Sequence, residues 1–196
     1  ESQIEQGRNF CGKIWNSYRL VKGWTVDENA EQPEACKTAV NWFKNKMNQT
    51  IETVEDHYSK FRISDALMSI YKLFWDDYCS WYLELIKPAY GQPIDTATYT
   101  ETLGFFEALL KMIHPVMPFI TEELWQDMAE RKEGETIMFQ STPKAEAYDA
   151  AFISSFELAE EAVNAVRSIR QQKNISPMEA LQIKFKGEFP AEMIAV

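Results

Sequence analysis

The sequence is poor in the residues that interrupt regular structure. Its 196 residues include seven glycines and eight prolines, whereas 45% of them are hydrophobic and 13% are aromatic. An all-β fold needs many tight turns, so this shortage favours long helices. The supply of apolar residues excludes a largely disordered chain and is sufficient for a buried core.

Cysteine and histidine are also scarce. Cys11, Cys36 and Cys79 lie far apart and form no CxxC pair; this argues against a zinc ribbon or a disulfide framework and predicts the reduced thiols of a cytoplasmic protein. His57 and His114 have no glutamate three residues before them, so the Glu-x-x-His pairs of a di-iron helix bundle are missing. Neither histidine has a catalytic motif around it. We therefore predict no metal site and no catalytic residues in this chain.

Motifs for nucleotide binding and segments for membrane insertion are missing as well. Neither GxGxxG nor GxxxxGK[ST] occurs, which predicts that this chain holds no cofactor of its own. No stretch approaches the ~20 apolar residues that span a bilayer, so no membrane partner is expected. The opening residues ESQIEQGRNF lack an initiator methionine and a signal-peptide pattern. They are typical of a piece taken from a longer protein.

Acidic residues dominate overall, but basic residues are locally concentrated. The net charge is −10, yet residues 8–22 hold four basic side chains and no acid, and residues 37–46 hold three more. A third basic cluster consists of Arg167, Arg170 and Lys173. Because salt screens exposed charges beyond ~8–10 Å, a basic face can attract phosphate even on an acidic protein.

Apolar spacing at intervals of three and four residues predicts a succession of long helices. They cover residues 3–22, 40–61, 64–87, 97–114, a segment that starts at Pro118, and 149–173. Ser64 and Asp65 are expected to cap the third helix. In the first helix, Ile4, Cys11, Ile14, Trp15 and Tyr18 are expected to face inward, and Trp42 is expected to join the core.

The stretch HPVMPFITEELW, which starts at His114, predicts a corner between two helices. A residue before proline is pushed out of the helical region, so one helix stops at His114, which caps its end. Pro118 suits the first turn of the next helix. Phe119 and Trp125 are expected to be buried, so the stretch is interpreted as scaffold.

The last part of the chain changes character. Residues 133–147 have no helical pattern and are interpreted as a linker. Leu181, Ile183 and Phe185 alternate with polar residues, which predicts a strand. The predicted fold class is mainly α: an antiparallel helix bundle over residues 1–147, followed over 148–196 by a truncated α/β appendage.

The first helix carries a weak signal for RNA binding. Arg8, Gly12, Trp15 and Arg19 are spaced 4, 3 and 4 apart and share one helical face. Aromatic stacking combined with Arg and Lys on phosphates is how single-stranded bases are held. The alternative is that Trp15 and Tyr18 are core and that the basic residues form an ordinary solvated face. Composition alone leaves both interpretations open.

Four motifs in order carry a family resemblance. RNFCGKIWNSYRLV, YCSWYLELIKP, IHPVMPFITEELWQ and VRSIRQQKNISP together resemble the C-terminal region of the valyl-tRNA synthetases, a branch of the class I aminoacyl-tRNA synthetases. The resemblance implies a helix-bundle anticodon-binding domain, with residues 148–196 beginning an αβ connection to a coiled-coil arm. It further implies a cytoplasmic, monomeric parent ligase that charges valine tRNAs with ATP and Mg²⁺, with the catalytic and editing domains in cis outside this chain.

The resemblance also implies where tRNA would bind. Family knowledge places anticodon contacts at the end of the first helix and in its following loop, which implicates Arg19, Lys22 and Trp24, with Asn16 one turn and Lys13 two turns earlier. Arg19 and Lys22 would hold phosphate or a base edge, and Trp24 would stack on a base. The alternatives are an isoleucine or leucine synthetase, or a helical protein-interaction scaffold.

Overall fold

A computed structural model describes residues 3–176 and 178–184. The chain divides into two compact units, residues 1–148 and 149–196. The elements of the first unit are α1 (Gln3–Lys22), β1 (Val26–Asp27), α2 (Glu34–Ser59), α3 (Ile63–Lys72), a π-helical segment (Leu73–Tyr82), α4 (Leu83–Ile86), β2 (Ile94–Asp95), α5 (Thr96–Ile113), α6 (Pro118–Met128) and a 3₁₀ turn (Ile137–Phe139). The second unit contains α7 (Ala150–Lys173). The mainly helical fold is confirmed.

Aromatic side chains form the centre of the first unit. Phe43 of α2 is fully buried, and its ring lies 4.9 Å from Tyr82 and 5.1 Å from Phe105 of α5, centroid to centroid. Trp42 is also buried, as predicted. Large aromatic side chains bury much apolar surface in offset and edge-on arrangements, and here they hold α2, the π-helical segment and α5 together.

The predicted helix over residues 64–87 forms as α3, the π-helical segment and α4 in continuous succession. In the π-helical segment the Ser80 hydroxyl donates to the carbonyl of Trp75, five residues back, at 2.9 Å. The wider turn shifts the apolar stripe. Trp81 is therefore only half-buried, and the hydroxyls of Tyr78 and Tyr82 both reach Thr102.

The start of α3 differs from the sequence prediction. The capping position is Arg62, and no side chain there accepts a hydrogen bond from the first turn. The expected cap by Ser64 and Asp65 was therefore wrong. The helix begins earlier because the turn that follows α2 contains left-handed Phe61, from which the chain leads directly into α3.

The corner between α5 and α6 forms largely as expected. His114 ends α5, and Pro118 occupies the first turn of α6. The His114 ring Nδ1 lies 2.7 Å from the Thr121 hydroxyl, which spans the corner. Trp125 is 1% exposed, as predicted, but Phe119 is 90% exposed. The prediction for Phe119 was wrong because the helix turns that residue away from α5.

A partly buried ion cluster fastens α6 to α5 behind this corner. The Trp125 indole donates to Glu107 at 2.8 Å, Lys111 lies 3.1 Å from the same carboxylate oxygen, and Arg131 stacks over the Trp125 ring at 3.6 Å. Burial opposes ionisation of Glu107, but the hydrogen bonds from Trp125 and Lys111 and the charge of Arg131 lower its pKa below the usual value. The cluster therefore supports the interpretation of this motif as scaffold.

A short parallel strand pair holds the loop after α1. Val26 pairs with Ile94 and Asp27 with Asp95. Asp95 also caps α5 by accepting from the Thr98 amide at 2.8 Å. The loop between α1 and α2 is thus anchored to the start of α5. The sequence gives no signal for this strand pair, because each strand has only two residues.

The predicted linker is partly built into the first unit. Glu122 of α6 accepts from the Thr136 hydroxyl at 2.5 Å and from the Ile137 amide at 3.1 Å. Farther along, the Glu146 amide donates to Asn48 at 2.9 Å. These contacts add the segment to the surface of the bundle.

The second unit is a capped helix with a folded-back end. Asp149 accepts from the amides of Ala151 and Phe152 at 2.9 and 3.0 Å. Arg170, in the last turn of α7, donates to the carbonyls of Ser176 and Glu179, which follow the helix. Residues 181–184 form no strand, so the strand prediction was wrong there; Phe185 and Lys186 lie outside the described residues. The interpretation of this unit as the start of an αβ connection stays a prediction.

Candidate nucleic-acid interface

The outer face of α1 presents a row of polar and aromatic side chains. Ile14, Tyr18 and Val21 are buried against the bundle, whereas Arg8, Asn16 and Arg19 are exposed. Trp15 is 42% exposed and lies on the same side as the two arginines. The expectation that Trp15 faces inward was wrong, and so was that for Ile4, which is 85% exposed. The sequence spacing of Arg8, Gly12, Trp15 and Arg19 had already indicated this face.

Gly12 leaves an open place in the middle of this row. A Cβ added there would meet no atom within 4 Å. Glycine in a helix interior costs roughly 0.5–1 kcal/mol relative to alanine. No packing among the described residues explains that cost, and the open space at Gly12 would allow an external group to approach α1 closely. We call Arg8, Gly12, Trp15, Asn16 and Arg19 the α1 face.

Arg19 is the best placed of the predicted cations. It is exposed in the last turn of α1, and its guanidinium makes no hydrogen bond or ion pair within the part of the chain that the structure describes. Its guanidinium can therefore donate in a forked arrangement to a phosphate or a base edge without first breaking a contact.

Lys13 points away from the α1 face. Successive residues of a helix are rotated by about 100°, so Lys13 lies about 120° round the axis from Arg19. Its ammonium sits 5.3 Å from the centroid of the Trp75 ring in the π-helical segment. The structure therefore does not bring Lys13 together with Arg19.

Lys22 is held at the other flank. It forms an ion pair with Asp127 of α6, and its ammonium lies 5.6 Å from the centroid of the Tyr18 ring. Hydrogen bonds from Lys22 and Tyr18 lower the pKa of Asp127, while burial and then Asp127 raise that of Tyr18. About half of each charged side chain of the pair is exposed, so an anionic ligand at Lys22 would compete with Asp127.

Trp24 lies just beyond the end of α1 and is half-buried. Its amide donates to the Val21 carbonyl at 3.1 Å, which makes a tight turn through Gly23. A Cβ at Gly23 would approach the Arg19 carbonyl to 3.2 Å. The Ile94 amide then holds the Thr25 carbonyl at 2.8 Å. Trp24 is thereby kept at the same end of the bundle as Arg19 and Lys22.

The described residues also bear on metal binding and on membrane insertion. Within residues 3–176 and 178–184, no group of three or more His, Cys, Asp or Glu side chains is arranged to bind a metal ion. No helix in the same residues is long and apolar enough to span a membrane. The α1 face is an exposed helical surface with two cations, an amide and an indole, which suits a nucleic-acid ligand.

Comparison with known proteins defines the family. The family model for the anticodon-binding domain of tRNA ligases matches residues 40–185. A valine–tRNA ligase of Parabacteroides distasonis is 56% identical over 96% of this chain, one of Bacteroides thetaiotaomicron 54% over all of it, and one of Coxiella burnetii 34% over 95%. The chain covers 22%, 23% and 22% of those relatives, respectively.

The two kinds of match complement each other at the candidate interface. The α1 face precedes the residues that the family model matches, whereas the P. distasonis and B. thetaiotaomicron relatives align with nearly the whole chain. The matched region begins within α2 and includes α5 and α6, against which α1 packs. The chain belongs to the family of anticodon-binding domains of tRNA ligases.

Proposed function

We propose that this chain is the tRNA-recognition domain of a valine–tRNA ligase. The full enzyme would attach valine to its tRNA in the cytoplasm with ATP and Mg²⁺, and this domain would act as part of a monomer, with the catalytic body in cis. The names of its relatives support valine over isoleucine or leucine as the amino acid. This chain would bind tRNA and perform no chemistry.

The observation that carries the proposal is the exposed Trp15 between two arginines that form no ion pair among the described residues. Arg8 and Arg19 lie about one helical turn to either side of the Gly12–Trp15 region, so one nucleotide stacked on Trp15 would place its neighbouring phosphates near the guanidiniums. Asn16 adds an amide that can hydrogen-bond a base edge. Trp24 and Lys22 continue this surface beyond the helix end.

Lys13 has a secondary part in this proposal. Its contact with Trp75 and its position round the helix support a role in holding α1 on the bundle. Among the five residues implicated by resemblance, Asn16 and Arg19 therefore have the strongest structural support, with Lys22 and Trp24 next to them. Arg8 and Trp15, which the sequence spacing placed on the same helical face as Arg19, are exposed beside them.

The direct test is binding of a valine tRNA transcript at low salt, compared with the same transcript carrying altered anticodon bases. Arg19→Ala is expected to weaken binding about 10-fold, since a charge-assisted hydrogen bond contributes about 1.5–3 kcal/mol before solvent exposure reduces it. Lys87→Ala, which removes an exposed cation paired with Glu84, is the matched control.

The outcomes separate the possible functions. Weaker binding to the altered anticodon would support base recognition by this chain, whereas equal binding would limit its role to phosphate contact. Unchanged affinity in Arg19→Ala would remove Arg19 from the interface. The absence of any tRNA binding would favour the remaining alternative, a helical protein-interaction scaffold.

A further inference from the structure

A pair of opposite charges lies at the end of α1, beside the α1 face. Lys22 forms an ion pair with Asp127, which is one residue before the end of α6, and the two side chains are 52% and 51% exposed. The pair therefore bridges two helices and still turns about half of each charged side chain to solvent. Exposed ion pairs add little to stability, which leaves both groups accessible to a ligand.

The buried side chain of Tyr18 holds this pair in place. Tyr18 is 4% exposed, and its ring stacks on that of Phe106 with the centroids 5.5 Å apart. Its hydroxyl donates a hydrogen bond to Asp127, and the Lys22 ammonium lies 5.6 Å from the centroid of its ring. One buried aromatic residue thereby positions both the anion and the cation.

The pair keeps free hydrogen-bonding capacity on both of its members. The hydrogen bonds from Lys22 and Tyr18 lower the pKa of Asp127, so its carboxylate is ionised at neutral pH. An ionised carboxylate has about four lone-pair sites and an ammonium has three donors. The two contacts occupy part of the carboxylate, and the ion pair uses one donor of Lys22. An acceptor and a donor therefore lie side by side at the surface.

This pair lies at the same end of the bundle as Trp24. Only Gly23 separates Lys22 from Trp24, and the Trp24 amide donates to the Val21 carbonyl at 3.1 Å, which makes the turn tight. A nucleotide held at this turn would therefore have its base within reach of Lys22 and of the carboxylate that accompanies it.

The pair suits the edge of a base better than a phosphate. Its formal charges cancel, and a phosphate drawn to Lys22 would be repelled by the adjacent Asp127 carboxylate. An unpaired base is neutral and is recognised on its Watson–Crick edge. That edge presents a donor next to an acceptor, so one base can bond to both members of the pair. Carboxylates accept from the exocyclic amino group of cytosine in this way.

The order of donor and acceptor along the edge divides the bases into two classes. Adenine and cytosine carry an exocyclic amino donor beside a ring-nitrogen acceptor. Guanine and uracil carry an exocyclic carbonyl acceptor beside a ring N–H donor. A donor and an acceptor that are held in fixed positions, as Lys22 and Asp127 are, match one of these two orders and oppose the other.

We infer that Asp127 is a specificity-determining residue of the tRNA site and that, together with Lys22, it reads an unpaired adenine or cytosine. The inference rests on the proposed function, because the base belongs to the bound tRNA. Asp127 accepts from the exocyclic amino group, and Lys22 donates to the neighbouring ring nitrogen. Tyr18 is a positioning residue that acts through Asp127.

Reversing one base edge at a time tests the inference. In the anticodon loop of a valine tRNA transcript, each adenine is replaced in turn by inosine and each cytosine by uracil, which keeps the ring and reverses the donor–acceptor order. One replacement is expected to weaken binding to the parent chain about 10-fold, as for the loss of a specific base contact. Asp127→Asn should reduce that ratio to about 2-fold or less, because an amide offers a donor as readily as an acceptor.

Two results would overturn the inference and leave the proposed function intact. An unchanged ratio in Asp127→Asn would remove Asp127 from base recognition. Tighter binding of Asp127→Asn to every transcript, with a log–log salt slope steeper by about 0.7, would show that the carboxylate only keeps Lys22 from a phosphate. In either case a loss of affinity in Arg19→Ala would still support the proposed function. The absence of tRNA binding by the parent chain would overturn both.

Asp56→Asn is the matched control for the charge change. Asp56 pairs with Lys60, and these side chains are 50% and 52% exposed, almost as in the Lys22–Asp127 pair. The control pair lies at the far end of α2, about 39 Å along that helix from the loop that follows α1. It should change neither the affinity nor the ratio. An equal fall of the ratio in both asparagine variants would contradict a role specific to Asp127.

Tyr18→Phe tests the positioning role. The variant keeps the ring that packs on Phe106 and removes the hydroxyl that holds Asp127. Its ratio is expected to fall part of the way towards that of Asp127→Asn, because the carboxylate is then less firmly oriented. A purely structural role would lower the melting temperature and leave the ratio as in the parent chain, and that result would remove Tyr18 from base recognition.

Discussion

At the scale of single residues, small differences of exposure decide what each side chain can do. Trp15 and Trp42 are both tryptophans on helices with apolar stripes, yet one is 42% and the other 1% exposed. Arg19 and Lys22 are cations in the same last turn, but only Lys22 is paired with a carboxylate. The same residue type therefore supplies core packing at one position and a binding group at another.

Replacing Gly12 with alanine tests whether that glycine serves a ligand. The substitution is expected to stabilise the chain by roughly 0.5–1 kcal/mol, because alanine is the better helix former and the space is empty. It should at the same time weaken tRNA binding. Denaturant unfolding and a binding titration measure the two effects.

Gly104→Ala is the matched control for this prediction. Gly104 lies in the middle of α5, and a Cβ there also meets nothing within 4 Å. It should give a similar gain in stability with no loss of tRNA affinity. Equal loss of affinity in both variants would contradict a specific role for Gly12.

Cysteine reactivity is expected to differ with burial. Burial raises the pKa of the Cys79 thiol to about 12, although Lys13 and Ser17 act in the opposite direction. The thiolate is the reactive form, so at pH 8 Cys79 should be alkylated only when the chain unfolds. Half-buried Cys11 should react faster. Peptide mapping after a timed iodoacetamide pulse measures both rates, and rapid native labelling of Cys79 would contradict the prediction.

At the scale of elements, specific polar contacts fasten the joints between helices. The α5–α6 corner combines His114 with Thr121 and the Glu107–Trp125 hydrogen bond. The joint between α1 and α6 uses Lys22 and Asp127. These contacts set the angles at which the helices cross, and thereby hold α1 with its outer face toward solvent.

Glu107→Gln is expected to make stability less sensitive to acid. The folded-state pKa of Glu107 is lowered, so its contribution is present above the unfolded-state pKa, about 4.3, and is lost as the pH falls through the folded-state pKa. The variant should therefore be less stable at pH 7, by about 1 kcal/mol, and the difference should shrink below pH ~4. Urea unfolding from pH 3 to 7 measures this.

Glu101→Gln is the control on the same helix, because Glu101 is exposed on α5. Its stability difference from the parent should be small at every pH. A Glu107→Gln difference that stays constant down to pH 3 would show that packing, and not charge, links Trp125 to α5.

At the scale of the whole molecule, charge and surface division govern binding. The chain carries a net charge of −10, and the α1 face contributes only Arg8 and Arg19 as cations without an ion pair among the described residues. The α1 face thus combines two cations with an exposed indole on one surface of the first unit.

The salt dependence of tRNA binding should accordingly be shallow. With about two phosphate contacts to single-stranded nucleotides, the slope of log K against log salt concentration is expected near −1.4. Titrations at several potassium chloride concentrations give the slope. Arg8→Ala should reduce its magnitude by about 0.7. A slope several times steeper would mean that cations beyond the α1 face take part.

The sequence by itself determined the helices, most of their limits and the family. These follow from local periodicity and from ordered motifs, and α1 over residues 3–22 and the Pro118 corner agree with the structure. Only the tertiary structure decided that Trp15 and Phe119 are exposed, that Lys22 pairs with Asp127 and that Lys13 lies over the Trp75 ring. A repeat of three and four residues shows which positions share a helical face, but only the neighbouring helices determine how much of that face they cover. The candidate tRNA face arises where that cover ends.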